Sequence, residues 1–133
     1  MKKEIQEKYI ELQMLQQQMQ QMNGQLEAVG QQIAELNATK EAIEELSNVK
    51  NGTEIIVPMS SGIFARGQIS ENKELIINVG AGVAVEKTVE ESEKMIEAQI
   101  AEVENFRQKM SMSLKKMSIR ACEIEETISK MSK

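Results

Sequence analysis

The sequence has 133 residues with 16 basic and 21 acidic side chains, a formal charge of −5 at neutral pH, and only three aromatic residues, Tyr9, Phe64 and Phe106. A globular core normally draws much of its buried area from large rings, about 150–250 Å² apiece; here Ile, Leu, Val, Met and Ala stand beside abundant Gln, Glu and Lys, a balance that favours long helices packed side by side. The lack of histidine excludes Ser-His-Asp and Cys-His catalysis and His-containing metal centres, and the single Cys122 excludes an intrachain disulfide, a Cys-x-x-Cys pair and a cysteine-cluster zinc site.

Residues 1–50 carry a heptad pattern. Positions 5, 12, 19, 26 and 33 are Ile, Leu, Met, Leu and Ile, and positions 15, 22, 29, 36 and 43 are Leu, Met, Val, Leu and Ile, with Lys8 and Lys40 as the interruptions. This 3-4 spacing, with Gln on most outward positions, predicts a coiled-coil helix. Gly24 and Gly30 each cost up to about 1 kcal/mol relative to alanine and mark expected points of flexing. Asn51-Gly52 is the expected left-handed stop of the helix.

Residues 51–87 hold the only proline, Pro58, and five of the seven glycines. Four strand-like runs, beginning at Glu54, Ile63, Leu75 and Val83, are separated by Ser60-Ser61-Gly62, a polar turn over 70–73, and Gly80-Ala81-Gly82. They read as two β-hairpins. Isolated hairpins are marginal in water, and their unpaired edges invite another chain. The segment is therefore expected to be an oligomerisation module, its apolar contacts made by Ile55, Val57, Ile63, Phe64, Ile69, Ile77, Val79, Val83 and Val85.

Residues 88–133 return to heptads: positions 89, 96, 103, 110, 117, 124 and 131 are Val, Ile, Val, Met, Met, Ile and Met, and 100, 114, 121 and 128 are Ile, Leu, Ala and Ile, with Arg107 the polar member. Thr88-x-x-Glu91 predicts a capping box at the start. Each helix should run about 45 residues, roughly 65–70 Å at 1.5 Å per residue. Folded back as an antiparallel pair, they would place Leu12 by Ile124, Met19 by Met117, Leu26 by Met110 and Ile33 by Val103. Both termini then lie at one tip, where packing should be loosest. There Ile5, Tyr9, Leu12, Ile124, Ile128 and Met131 offer apolar surface for another protein.

Other features yield no catalytic site. Gly80-x-Gly82 lacks the third glycine and the following helix of a dinucleotide loop, and Ser60 and Ser61 have no base within reach in sequence. Glu44-Glu45 and Glu125-Glu126 read as solvated charge, and Cys122 as a partly covered thiol flanking the seam, with redox chemistry as its alternative. Between Arg107 and Arg120 there are five basic residues and no acidic one; a polyanion site, pairing with Glu27 and Glu35 on the other helix, and simple solvation all account for it. No run approaches the ~20 apolar residues that span a bilayer, no apolar stretch follows Lys2 and Lys3 as a secretory signal requires, and the acidic balance argues against nucleic acid. The expectation is a cytoplasmic protein with neither membrane nor nucleic-acid partner, no cofactor and no metal.

The run Val57-Pro58-Met59-Ser60-Ser61-Gly62-Ile63-Phe64-Ala65-Arg66-Gly67, followed by Val79-Gly80-Ala81-Gly82-Val83-Ala84-Val85-Glu86-Lys87, resembles the alpha class of archaeal-type prefoldin subunits, and the likeness spans essentially the whole chain. Ser60 stands where the family usually has glycine, and Val83 where an aromatic often follows. The resemblance implies a mostly α fold: a long antiparallel coiled-coil hairpin whose two central β-hairpins join an oligomeric β-barrel platform, residues 1–133 forming a single domain. It further implies an ATP-independent chaperone of two alpha-type and four beta-type subunits. Such an assembly holds non-native proteins at the coiled-coil tips and passes them to a group II chaperonin. The alternative is a self-assembling filament or spacer subunit.

Overall fold

The computed structural model describes residues 2–132. In chain order it contains α1 (Lys2–Ser47), β1 (Glu54–Ser60), β2 (Ile63–Gln68), β3 (Glu74–Gly80), β4 (Val83–Thr88) and α2 (Val89–Met131). Two compact units result, one of Met1–Ala34 with Ala101–Lys133, the other Glu35–Ile100.

In the first unit the two heptad series are the inward positions. Ile5, Leu12, Leu15, Met19, Met22 and Leu26 are half-buried, and Val29 and Ile33 are buried; on α2, Ala121, Ile124 and Ile128 are buried. Burial of such side chains contributes about 1.5–3 kcal/mol each, which is what holds two otherwise polar helices together. α1 runs unbroken through Gly24 and Gly30, and no neighbouring atom crowds either position.

The seam's basic interruptions are accommodated by their length. Lys8, Lys40 and Arg107 lie half-buried along the seam and carry their charges out to carboxylates: Lys8 to Glu11 (3.8 Å), Arg107 to Glu104 (2.7 Å) and, in the second unit, Lys40 to Glu97 (3.2 Å). A long alkyl stem covers apolar surface while its head stays wet. The hydrogen bond to Glu97 and its negative charge raise the Lys40 pKa.

The second unit holds the hairpins. β1 pairs with β2 and β3 with β4, both antiparallel, in two separate two-stranded sheets. Each turn has two residues with positive φ, Ser61 (49°) with Gly62 (79°) and Ala81 (52°) with Gly82 (75°). That is the primed turn whose twist matches the flanking strands. A one-residue bulge before each turn shifts the register, between Pro58 and Ser60 and between Asn78 and Gly80.

Two expected helix signals act differently from the sequence pattern. α1 stops at Ser47, where Asn48 N–H donates to the Glu45 carbonyl and Val49 N–H to that of Leu46. Gly52 (φ 87°) instead turns the chain into β1, its N–H bonded to the Ile69 carbonyl at 2.6 Å. The Asn72 carboxamide nitrogen also lies within hydrogen-bond reach of the carbonyls of Leu46, Ser47 and Val49. At the start of α2, Thr88 Oγ1 accepts from Glu91 N–H, and the Glu91 carboxylate accepts from the Thr88 hydroxyl. The reciprocal backbone bond of a full capping box is replaced because Thr88 is also the last residue of the β4 ladder, opposite Glu74.

Candidate functional site

Two surfaces could engage another molecule: the hairpins of the second unit and the helix pair of the first. On the first hairpin the register puts Ile55, Val57, Ala65 and Gly67 on one face and Ile56, Pro58, Phe64 and Arg66 on the other. A side chain at Gly67 would meet Ile55 and Val57 at 3.7 and 3.9 Å, so glycine leaves room for those two. On the second hairpin Leu75, Ile77, Val79, Val83 and Val85 share a face, and Leu75 and Ile77 border a recess of about 420 Å³ with Ile43 and Ile96 of the helices.

Of the residues expected to make oligomer contacts, Ile55, Ile69, Ile77 and Val85 are half-buried, whereas Val57, Ile63, Phe64, Val79 and Val83 are exposed. Three further apolar residues escaped the sequence reading: Ile56, Met59 and Ile76, exposed by 68%, 65% and 76%. The doublets Ile55-Ile56 and Ile76-Ile77 were the available signal. In a strand, adjacent residues point to opposite faces, so a doublet makes both faces apolar, as in strands covered on two sides. Phe64, expected among the oligomer contacts, lies on the second face, opposite Pro58.

The polar groups of this unit are structural. Glu71 accepts the N–H groups of Lys73 and Glu74, and Asn78 that of Gly80. The Glu74 carboxyl is raised above its ordinary value, first by the hydrogen bond to the Glu86 carboxyl across the hairpin and then by that group's negative charge.

In the first unit the expected apolar residues divide. Ile124 is 1% exposed, and Ile128 is buried; Ile5, Leu12 and Met131 are half-buried, and only Tyr9 is exposed. At this end Ile124 and Ile128 of α2 are thus covered more deeply than Ile5 and Leu12 of α1. Ala121, one turn before Ile124, is buried as well, and Lys8 is half-buried in its seam position. The exposed apolar groups are instead Tyr9, Ile10, Met14, Phe106, Met112 and Ile119. Ile10, Met112 and Ile119 occupy heptad positions opposite the seam, where apolar residues bring nothing to the coiled coil itself.

The basic stretch also resolves. Arg120 bonds Glu11 on α1 through Nε (3.2 Å) and Nη2 (3.0 Å) and lies 3.6 Å from Glu123, while Arg107 bonds Glu104. Glu27 and Glu35, the partners expected from sequence, make no ion pair with it among the described residues. Cys122 is exposed rather than partly covered. Among the described residues no group of His, Cys, Asp and Glu could hold a metal ion, and no helix is long and apolar enough to cross a membrane.

Comparison with known proteins bears on both surfaces. A family model described as Prefoldin subunit matches residues 15–133. Prefoldin subunit alpha of Archaeoglobus fulgidus is 26% identical over 126 residues, which cover 95% of this chain and 92% of the relative. Prefoldin subunit alpha 1 of Thermococcus kodakarensis is 35% identical over 100 residues, 75% of this chain and 68% of the relative. Prefoldin subunit alpha of Pyrococcus horikoshii is 30% identical over 123 residues, 92% and 83% respectively. The cryo-EM structure of filamentous PFD from Methanocaldococcus jannaschii has the same fold, with a TM-score of 0.76 at 19% identity over 89% of this chain and 95% of that one.

Proposed function

The chain belongs to the prefoldin family, and from that premise we propose that it is the alpha-type subunit of an ATP-independent holdase that binds non-native proteins and passes them to a group II chaperonin. Prefoldins are chaperones rather than enzymes, and they work as oligomers of prefoldin subunits; here two alpha-type and four beta-type chains are the proposed assembly. The observation that carries the reading is the unsatisfied state of both hairpins. Val57, Ile63, Val79 and Val83 stand exposed on strands with unpaired edges, which is how a subunit looks when its sheet is completed by neighbours.

Client binding is proposed for the tip residues Ile5, Tyr9, Leu12, Ile124, Ile128 and Met131, in two modes. Tyr9, with neighbouring Ile10 and Met14, is accessible as the helices stand. Ile5, Leu12 and Met131 are half-covered and offer part of their surface, whereas Ile124 and Ile128 reach a client only when the helix ends part. Weak apolar contacts on several subunits then add through avidity. The test is the full chain assembled with a beta-type subunit, assayed for suppression of aggregation of an unfolded protein without nucleotide. Removing residues 1–11 and 123–133 should abolish protection and leave the assembly intact. Full protection by the truncated assembly would place the client elsewhere.

A second reading, self-assembly into a filament or spacer, is favoured by one feature. Ile56 and Phe64 make the outer face of the first hairpin apolar as well, and the fold neighbour is itself filamentous. Mass measurement of the chain by itself and mixed with a beta-type subunit separates the two.

A further inference from the structure

The outer face of α2 in the first unit combines exposed apolar and basic residues. Lys109, Met112, Lys115, Lys116 and Ile119 are all exposed, and Met112 stands three or four residues from each lysine and seven from Ile119, so they form one stripe. Met112 is 62% and Ile119 52% exposed, seven residues apart on the side away from the seam. None of the three lysines makes an ion pair among the described residues. No acidic residue stands three or four positions from any of them. Elsewhere the basic groups on or beside the helix seam are paired: Lys8, Lys40, Arg107 and Arg120 each meet a glutamate. Beside Met112 a shallow groove of about 700 Å³ runs past Arg107, Gln108 and Ser111 to Leu26, giving a side chain of mixed character a place to sit.

From this we propose that the stripe is a docking surface for an acidic amphipathic segment of a partner protein. Its carboxylates would meet Lys109, Lys115 and Lys116, and its apolar residues would cover Met112 and Ile119. Charge complementarity selects the occupant. On a chain of net −5 three unpaired lysines grouped around two apolar residues attract an acidic segment and favour where it lands. Three lysines fall short of the roughly four to eight basic residues that hold a helix on an anionic membrane. The stripe also has neither the arginine forks nor the aromatic platforms by which nucleic acids are bound. Apolar anchors at seven-residue spacing are what a helical protein segment uses. This site is separate from client holding, because its occupant is a folded helix recognised by charge and not an unfolded chain.

The test uses the full chain and a fluorescent helical peptide with Glu and Leu stripes, followed by anisotropy. The chain should bind it, and affinity should fall steeply with salt. Lys109→Gln, Lys115→Gln and Lys116→Gln together should weaken binding by about tenfold, as three exposed charge contacts acting jointly imply. The corresponding Lys→Arg triple should bind like the parent. Met112→Ser with Ile119→Ser should weaken binding several-fold while the helical signal stays unchanged. Equal binding by the Gln triple overturns the proposal. So does tighter association with phosphatidylserine vesicles or duplex DNA than with the peptide, or a changed oligomer mass in the Gln triple, which would make a second copy of this chain the occupant.

Discussion

Asn72 donates from its carboxamide to the Leu46 carbonyl at 3.0 Å, tying the loop between the two hairpins to the last turn of α1. The same nitrogen also reaches the carbonyls of Ser47 and Val49. A single side chain thus satisfies the free end of one element from a residue 26 positions away and sets where the second hairpin begins.

Removing that carboxamide should cost stability. Asn72→Ala removes the side-chain donor to the part-buried Leu46 and Val49 carbonyls, the first of which keeps the Val49 N–H, and should destabilise the chain by about 1–2 kcal/mol. Asn72→Asp should be worse, because a carboxylate would face carbonyl oxygens at the negative end of a helix. Urea unfolding of the full chain measures both, and equal stability of the Asp variant would refute the capping role.

The second turn offers a gain instead. Ala81 sits at φ 52° and is followed by Gly82 at φ 75°. A left-handed conformation costs a residue with a Cβ roughly 1–2 kcal/mol, less for Asn. Ala81→Asn should therefore stabilise the hairpin by up to ~1 kcal/mol, since Asn-Gly is the preferred primed turn. Gly82→Val should destabilise it although nothing crowds that position, the penalty being conformational. Thermal unfolding checks the opposite signs.

The tip gives a contrast within one helix. Ile124→Ala should cost about 2–5 kcal/mol, the range for emptying a buried site. Ile119→Ala, five residues earlier and exposed, should stay within about 0.5 kcal/mol. In the same unit, cysteines at 26 and 110, with Cys122→Ser, should crosslink within one chain if the antiparallel register read from the heptads holds. A crosslink found only between chains would refute it.

Assembly is tested best where the chain by itself has nothing to lose. Ile77 and Val85 are half-buried within their own unit, so a charge there disturbs the subunit as well as any interface. Val79 and Val83 are exposed. Val83→Asp should leave the isolated chain's helical signal unchanged and yet break the oligomer, because burying an unpaired carboxylate costs several kcal/mol. An unchanged oligomer mass would remove that face from the interface.

Acid should affect the second hairpin in a defined direction. The Glu74 pKa is raised by Glu86, so the folded chain holds a proton there more tightly than the unfolded one. Stability from this pair is greatest at low pH and declines as pH rises from the ordinary glutamate range through the raised value. Glu74→Gln should flatten that part of the pH profile of the urea midpoint. A parallel profile would show that the pair is not coupled in solution.

The heptad positions were legible in the sequence because a seam is a local, periodic property: each Ile, Leu or Met three or four residues on lands on the same helix face whatever the rest of the chain does. The hairpins were legible for a similar reason, since Ser61-Gly62 and Ala81-Gly82 interrupt strand-forming runs at the positions where φ is positive. Local pattern could not say how deeply each position is buried. Ile124 and Ile5 share a heptad role, yet Ile124 is nearly sealed and Ile5 only half-covered, because burial depends on what the opposite helix places against each. Nor could it assign partners to charges. Arg120 meets Glu11 rather than Glu27 or Glu35 in the antiparallel helix pair, and Lys109, Lys115 and Lys116 make no ion pair among the described residues. Reach across a helix pair is fixed only when the register is, so the ion pairs, the depth of the seam and the identity of the outward apolar face all belong to the tertiary structure.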